Sequence, residues 1–475
     1  MVTIITEISK FIIIILMICY TMNCFTVFRP QNIDRRDELL NKQIIYVFGI
    51  HFLSYLTFYL KMEKIEILIF YGLQITVAAV YMVLYHHIYP ESSRLITNNM
   101  SFLMLIGYTM LTRLDLSSAK KQFMIGTCML VLATIIPFVV IRMKSLKSMW
   151  RFYAVTGIIF LFTVFIPGIG KKINGSRNWI KVGPIQFQPM EFVKIIFVFF
   201  LASILAESAE FQNIVKTTMI AALYVGVLVL EKDLGGATIF FVTYAVMIYI
   251  ASGKLIYLIL LFGGGGGFAT VAYIMFKNSL FSHVSTRILA WSDPWAYINN
   301  EGYQVAQSLF AIGTGGFFGS GLTEGSPNLI PVASSDFIFS AIGEEYGMIF
   351  AIALILMCVS CFVTFMNAAM KCKRRFFKYL VAGFAVCYIF QVFLNIGGAT
   401  KFIPSTGVTL PLVSYGLSSM LSTIIIFSLV QTVFIIENKE AIKIDEARKE
   451  LEEIEGQESG GVEKPSGKRG KKNRK

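Results

Sequence analysis

Glu191 and Lys194 stand three residues apart at the start of an apolar run, directly after Pro189. On a helix that spacing puts both charges on one face, where they can pair or bind a polar headgroup, and a proline suits the first turn. A structural ion pair that seats the preceding loop is the plainer use. That loop, within NGSRNWIKVGPIQFQPMEFVKI (174–195), carries Arg177 and Lys181. EKDLGGATIFF (231–241) places Glu231, Lys232 and Asp233 before a glycine pair, with Asp233 where a helix wants an N-cap. DFIFSAIGEEYG (336–347) opens on Asp336, again cap-like, and carries the adjacent carboxylates Glu344 and Glu345. Two acids side by side within a span are hard to explain as packing, and suit a polar cavity or a partner contact. GGATKFIPSTGVTLPLVSYGLSSM (397–420) interrupts its apolar surroundings with Pro404, Pro411 and small hydroxyl residues, Ser414 among them. Irregular backbone at membrane depth is tolerated only when buried in protein or lining a cavity. Lys401 lies beside it and could meet a phosphate. Ionisable groups within or beside apolar spans are costly, so each cluster is a functional candidate.

The longest polar interval runs from Arg287 to Glu345 and holds Asp293, Glu301, Glu324, Asp336, Glu344 and Glu345 with repeated glycines and three prolines. A loop of that length between spans is unusual, and such loops are functional or disordered. Its aromatics and its GTGGFFGSG turns argue for structure. Together these stretches suggest an outward-open polar cavity beneath a large loop.

Positioning such groups requires the apolar elements around them. Of 475 residues, 56% are hydrophobic and 15% charged, and the mean hydropathy is +0.67. Runs of about 20 apolar residues, the length that crosses a bilayer, recur along nearly the whole chain. Barrel strands would alternate polar and apolar residues, and these runs do not. The fold class expected is an all-α polytopic membrane protein of about 13 transmembrane helices, the count set by that span length. The N-terminal KFIIIILMICYTMNCFTVF reads as an uncleaved span. Further spans are expected near 43–60, 65–88, 95–114, 122–142, 150–168, 189–207, 214–231, 235–251 and 254–275. After the polar interval come 336–366, 376–398 and 409–436. The net charge of +13 invites a nucleic-acid reading, which its distribution opposes. Lys and Arg sit in short loops, RMKSLKSMWR (142–151) and KCKRRFFK (371–378), and in the tail. The positive-inside rule then places these in the cytoplasm, and the N-terminus and residues 276–335 outside. From Glu437 a charged helical stretch leads into the basic tail GVEKPSGKRGKKNRK (461–475), suited to anionic lipid headgroups. Cys358 and Cys361 form a CxxC inside a span and read as small core residues; His86 and His87 read as interfacial. No metal site is evident.

These stretches resemble the FtsW/RodA/SpoVE (SEDS) family of bacterial division, elongation and sporulation. The matches are 174–195, DLGGA (233–237), RILAWSDPW (287–295), GYQVAQSLFAIGTGGFFGSG (302–321), DFIFSAIGEEYG and PSTGVTLPLVSYGLSS (404–419), in family order, from about residue 95 to 436. The resemblance implies a ten-span core over 95–436 with the large loop 276–335, about three additional spans in 1–94, and a cytoplasmic tail 437–475 in a bacterial cytoplasmic membrane.

It further implies that lipid II is polymerised into glycan strands beside a class B penicillin-binding protein, with lipid II flipping as an older proposal. A divalent cation could accompany the lipid diphosphate. Such a reaction needs cations near the leaving diphosphate and a carboxylate to take the acceptor hydroxyl's proton. Arg177, Lys194, Arg287 and Lys401 are the candidate phosphate contacts; Glu191, Asp233, Asp336, Glu344, Glu345 and Ser414 complete the substrate-binding set. Aligning Arg287, Pro294 and Gly302–Tyr303 without gaps puts Tyr297 where the family carries its catalytic Asp. With an ordinary pKa near 10, a tyrosine is a poor base at neutral pH. Asp293, at an earlier family position, is the catalytic candidate; otherwise Glu301 takes over, or the chain is a silent scaffold.

Overall fold

The computed structural model describes residues 2–29, 32–143, 145–173, 175–183, 185–277 and 281–460. The basic tail 461–475 lies outside the described residues.

The chain begins with three long helices, α1 (Val2–Thr26), α2 (Ile33–Met62) and α3 (Ile65–Ile88). Then come α4 (Arg94–Leu114), α5 (Leu116–Arg142) and the short α6 (Trp150–Phe162). A small antiparallel sheet follows: β1 (Gly170–Ile173), β2 (Ser176–Val182) and β3 (Ile185–Phe187), in that spatial order. Next are α7 (Pro189–Glu207), α8 (Phe211–Leu230), α9 (Leu234–Ser252) and α10 (Leu255–Phe276). The polar interval contains α11 (Ser282–Ser292), α12 (Tyr303–Gly315) and α13 (Ile338–Tyr346), and α14 (Met348–Lys371), α15 (Arg375–Ala399) and α16 (Leu417–Gly460) close the fold.

Among the described residues, eleven helices are long and apolar enough to cross a membrane. The sequence count of about 13 also includes α4 and α6: α4 has polar residues within it, and α6 is only 13 residues long. The protein is an all-α, multi-pass membrane protein, and its sheet is confined to the α6–α7 connection.

Burial sorts the helices. α7, α15 and α16 are mostly buried, and α4 is buried from Leu95 to Thr112. α1, α3 and α5 expose rows of large apolar side chains, as lipid-facing helices do, and α10 buries no residue. α1 packs on α2 and α14, and α2 on α4, which brings the first three helices onto one flank of the bundle.

Local chemistry sets the helix starts. Asp115 caps α5 by accepting from the Ser117 and Ser118 amides, Asp233 caps α9 by accepting from Gly236 N at 2.8 Å, and Pro189 opens α7.

Three expectations need correction. The run 336–366 is two helices, because Gly347 breaks it at φ +88°. A Cβ there would sit 2.3 Å from Gly319 N, while Met348 N and Ile349 N donate to Gly316 O and Phe317 O. The final span begins at Leu417 and not near 409, because Gly407 and Leu412 adopt positive φ and Pro411 lies between them. The stretch 170–187, read as loop, pairs as strands, with Gly170 opposite Ile180 and Ile180 opposite Phe187.

Candidate functional site

A cavity of about 470 Å³ opens where the sheet, the starts of α7 and α9, α11 and the irregular segment between α15 and α16 converge. Its charged lining comprises Glu191, Lys232, Asp233, Arg287 and Asp336, brought together from four separate parts of the chain.

Glu191 and Lys194 form the ion pair their spacing suggests, and both are almost completely buried. Lys194 Nζ also donates to Gln391 Oε1 at 2.7 Å, and Ser422 Oγ donates to Glu191 Oε2 at 2.8 Å. With these partners the pair forms a neutral floor. Asp233 is occupied too. Asn178 and Gln188 donate to its Oδ2 at 2.9 and 2.8 Å, and its Oδ1 holds the α9 cap. Its neighbour Lys232 takes a positive φ of 62°.

Arg287, on α11, donates to Ser405 O at 3.2 Å. A Cβ added to Gly407 would lie 3.5 Å from its Nη2 and 3.7 Å from Asp336 Oδ2, so a cation and a carboxylate flank one glycine. Burial pushes the Asp336 carboxyl above its ordinary pKa, against the opposing pull of the Ser335 hydroxyl and Arg287. Of the three cavity carboxylates, Asp336 is the one not consumed by a lysine or by amide donors.

The irregular segment is held by amides. Asn395 Nδ2 donates to Asp336 O and Val408 O at 3.0 and 2.8 Å, joining two cavity walls. Gln391 Nε2 donates to Thr409 O, and Gln122 bonds Ser414 O and Gly416 N. Ser414 Oγ donates to Ser335 O at 2.5 Å and accepts from Leu410 N, so Ser414 fixes the wall from behind. Gln122, Gln391 and Asn395 did not stand out in the sequence, and Lys232 stood out there only as a neighbour of Asp233. The signal for the first three was a carboxamide inside an apolar run, which is costly unless hydrogen-bonded.

Several candidates lie elsewhere. Arg177 is turned to the α6 end: its Nη2 donates to Phe165 O at 3.3 Å and its guanidinium lies over the Phe165 ring. Lys401 is outside the lining; its carbonyl accepts from Trp291 Nε1. Lys194 sits behind Glu191 as a structural cation. Glu344 and Glu345 form a separate buried cluster, with Glu344 Oε1 accepting from Ser326 N and Glu345 Oε1 from Arg113 Nε. Asp293 is exposed and caps a turn through the Trp295 and Ala296 amides. Neither it nor the half-exposed Tyr297 lines the cavity. The single cavity anticipated from all four clusters thus takes Asp336 from its third cluster and leaves the two glutamates out.

Among the described residues no three His, Cys, Asp or Glu side chains converge on a metal position. With Glu191 and Asp233 already engaged, the cavity does not by itself fit a protein-held divalent ion.

Comparison with known proteins agrees with this architecture. The family described as "Cell cycle protein" (FtsW/RodA/SpoVE) matches residues 92–439. A peptidoglycan glycosyltransferase RodA of Mycobacterium leprae is 33% identical over 357 residues, covering 69% of this chain and 74% of that one. A probable peptidoglycan glycosyltransferase FtsW of Saccharophagus degradans is 36% identical over 309 residues, covering 62% and 78%. Among solved structures, a chain of a peptidoglycan synthase complex superposes with a TM-score of 0.60 at 23% identity, covering 73% of this chain and 98% of that one. RodA of Thermus thermophilus gives 0.53 at 24% identity, covering 72% and 96%. These two superpositions show the shared fold.

Proposed function

Because this chain belongs to the FtsW/RodA/SpoVE family of cell cycle proteins, we propose that it is a peptidoglycan glycosyltransferase that polymerises lipid II in the cavity beneath its large loop. The observation that carries the site assignment is the placing of Arg287 and Asp336 on either side of Gly407, with Lys232 in the same lining.

In this reading the acceptor sugar's hydroxyl gives its proton to Asp336 and its oxygen attacks the anomeric carbon of the donor. The bond from that carbon to the diphosphate oxygen breaks, and the diphosphate leaves with the electron pair. Arg287 and Lys232 hold the charge that develops there, the usual role of fixed cations at a leaving diphosphate. A carboxylate whose pKa burial has raised is a better proton acceptor than an ordinary exposed one. Glu191, Lys194 and Asp233 shape the floor. A divalent ion would arrive on the lipid's own diphosphate.

The basic loops support a cavity opening outside the cytoplasm, an outer N-terminus and a cytoplasmic C-terminus in a bacterial membrane. Residues 95–436 then form the catalytic core, 1–94 an added flank, and 437–475 the cytoplasmic tail. A class B penicillin-binding protein is the partner that would crosslink the product. A scaffold without catalysis is the second reading, favoured by Tyr297 at the position where the family carries an acid.

Purified protein, with and without a co-expressed class B penicillin-binding protein, is incubated with lipid II and the glycan polymer is resolved on a gel. Polymer is expected from wild type and from Asp293→Asn, with a roughly 100-fold or greater loss in Asp336→Asn. Loss in Asp293→Asn alone moves the base to the loop. Polymer from Tyr297→Asp but not from wild type identifies a disabled enzyme.

A further inference from the structure

A second cavity, of about 310 Å³, lies at the opposite end of the helices from the loop, between α2, α3 and α4. It is lined by Ile44 of α2, by Met82, Val83, His86 and His87 of α3, and by Arg94, Thr97 and Asn98 of α4; Met82, Thr97 and Asn98 are buried, whereas Val83 and the two histidines stand at its exposed edge. The rim residues His86, His87 and Arg94 belong to the last turn of α3 and the first residue of α4. This end of the bundle is also where Lys439 meets Glu91 and Arg374 meets Glu440 beside the basic loop 371–378, so it lies at the membrane edge that the basic loops mark.

We infer that this cavity retains one membrane phospholipid, with its phosphate on Arg94, His86 and His87 and an acyl chain entering against Met82 and Val83. Three features carry the assignment. The rim groups are nitrogen donors suited to a phosphate, and a guanidinium takes phosphate oxygens two at a time. Beside them Ile44, Met82 and Val83 are apolar, and the polar groups of Thr97 and Asn98 on the α4 side are already bonded to Ser93, Gln431, Leu40 and Gln43, an arrangement suited to an amphiphile and not to a free anion. An exposed apolar row on α3, Ile69, Leu73, Val80 and Leu84, continues from the cavity along the helix. The fifteen steps from Ile69 to Leu84 rise about 22 Å at roughly 1.5 Å each, comparable to an acyl chain.

Two acceptors already face Arg94. Asp37 Oδ1 lies 3.3 Å from its Nη1, and Asn41 Oδ1 accepts from its Nη2. The Asp37 side chain is half exposed, so this ion pair is weak and open to competition by a phosphate. Asp37 is also placed to receive an ammonium if the headgroup carries one. A lipid held here fills the wedge between the added helices α2 and α3 and the first core helix α4.

The test uses delipidated full-length protein in detergent, titrated separately with phosphatidylglycerol, phosphatidylethanolamine, diacylglycerol and glycerol phosphate. Native mass spectrometry counts the retained molecules. Wild type is expected to keep one phospholipid of either headgroup, and to take up diacylglycerol or glycerol phosphate at least tenfold more weakly. The exposed pair His86→Ala/His87→Ala, which removes no buried side chain, should weaken retention at least fivefold, and Arg94→Ala more. Arg94→Lys should restore part of it. Lys254→Ala, at the cap before α10, should leave it unchanged. Equal uptake of diacylglycerol, or equal retention by wild type and the histidine pair, would overturn the assignment. Equal binding of glycerol phosphate would reduce the site to a phosphate contact and overturn it as a lipid site.

Discussion

Arg113 Nε, at the end of α4, donates to Glu345 Oε1 on α13 at 2.7 Å, and its Nη2 donates to Gly325 O at 3.1 Å. One guanidinium thereby ties a core helix, the short helix before the Gly347 break and the loop leading to Asp336. The Glu345 side chain is completely buried. Removing its partner strands a buried carboxyl, which must then carry an uncompensated charge or take up a proton. Arg113→Ala is expected to cost roughly 3–5 kcal/mol, read as a lowered midpoint of thermal unfolding in nanodiscs. An unchanged midpoint would show that the pair is not the tie it looks to be.

The same carboxyl makes stability depend on pH. Burial pushes Glu345 from its ordinary 4.5 up to about 7, with Arg113 opposing, and Glu231 at the end of α8 is pushed up to about 9 by burial and by Asp233. A raised acid pKa means that the folded state binds the proton more tightly than the unfolded state. Stability is therefore greatest below pH 4.5 for these two groups, and falls as pH rises through about 7 and about 9 respectively. Glu345→Gln should flatten the decline between pH 4.5 and 7, and Glu231→Gln the decline that continues toward pH 9. Unfolding midpoints across that range check both, and unchanged slopes would refute the linkage.

Arg287 and Arg177 were equivalent phosphate candidates in the sequence, and the structure separates them. Arg287 lines the cavity, whereas Arg177 is spent on Phe165. Arg287→Ala should weaken lipid II binding about tenfold or more, as loss of a charge-assisted contact implies. Arg177→Ala should match a tail control such as Lys472→Ala. Equal losses for both arginines in a binding titration would remove the cavity from its assigned role.

Gly407 sits at φ +74° with Arg287 and Asp336 beside it. Gly407→Ala introduces a left-handed alanine, costing about 1 kcal/mol, and places a methyl between the two groups. Polymer yield should drop severalfold, with only a small change in unfolding midpoint. A large stability loss at full activity would contradict this placing.

What the sequence by itself determined is the set of properties carried by neighbouring residues. An apolar run long enough to cross a bilayer is a helix wherever it packs, so the multi-pass architecture was legible. The Glu191–Lys194 pair and the Asp233 cap were legible for the same reason, since i,i+3 spacing and an aspartate before a helix act within one turn. Only the tertiary structure decided which charges share a cavity. Arg287 and Asp336 share one cavity because α11 and the 332–336 turn both close on Gly407, and Asn395, more than fifty residues beyond Asp336, holds that wall in place. Asp293 and Asp336 look alike as acids in a polar interval; long-range packing leaves one in solvent and sets the other, partly buried, in the cavity wall. The break at Gly347 was hidden for a related reason. A glycine in an apolar run reads as helix until the 316–319 loop comes across to claim the backbone amides beside it.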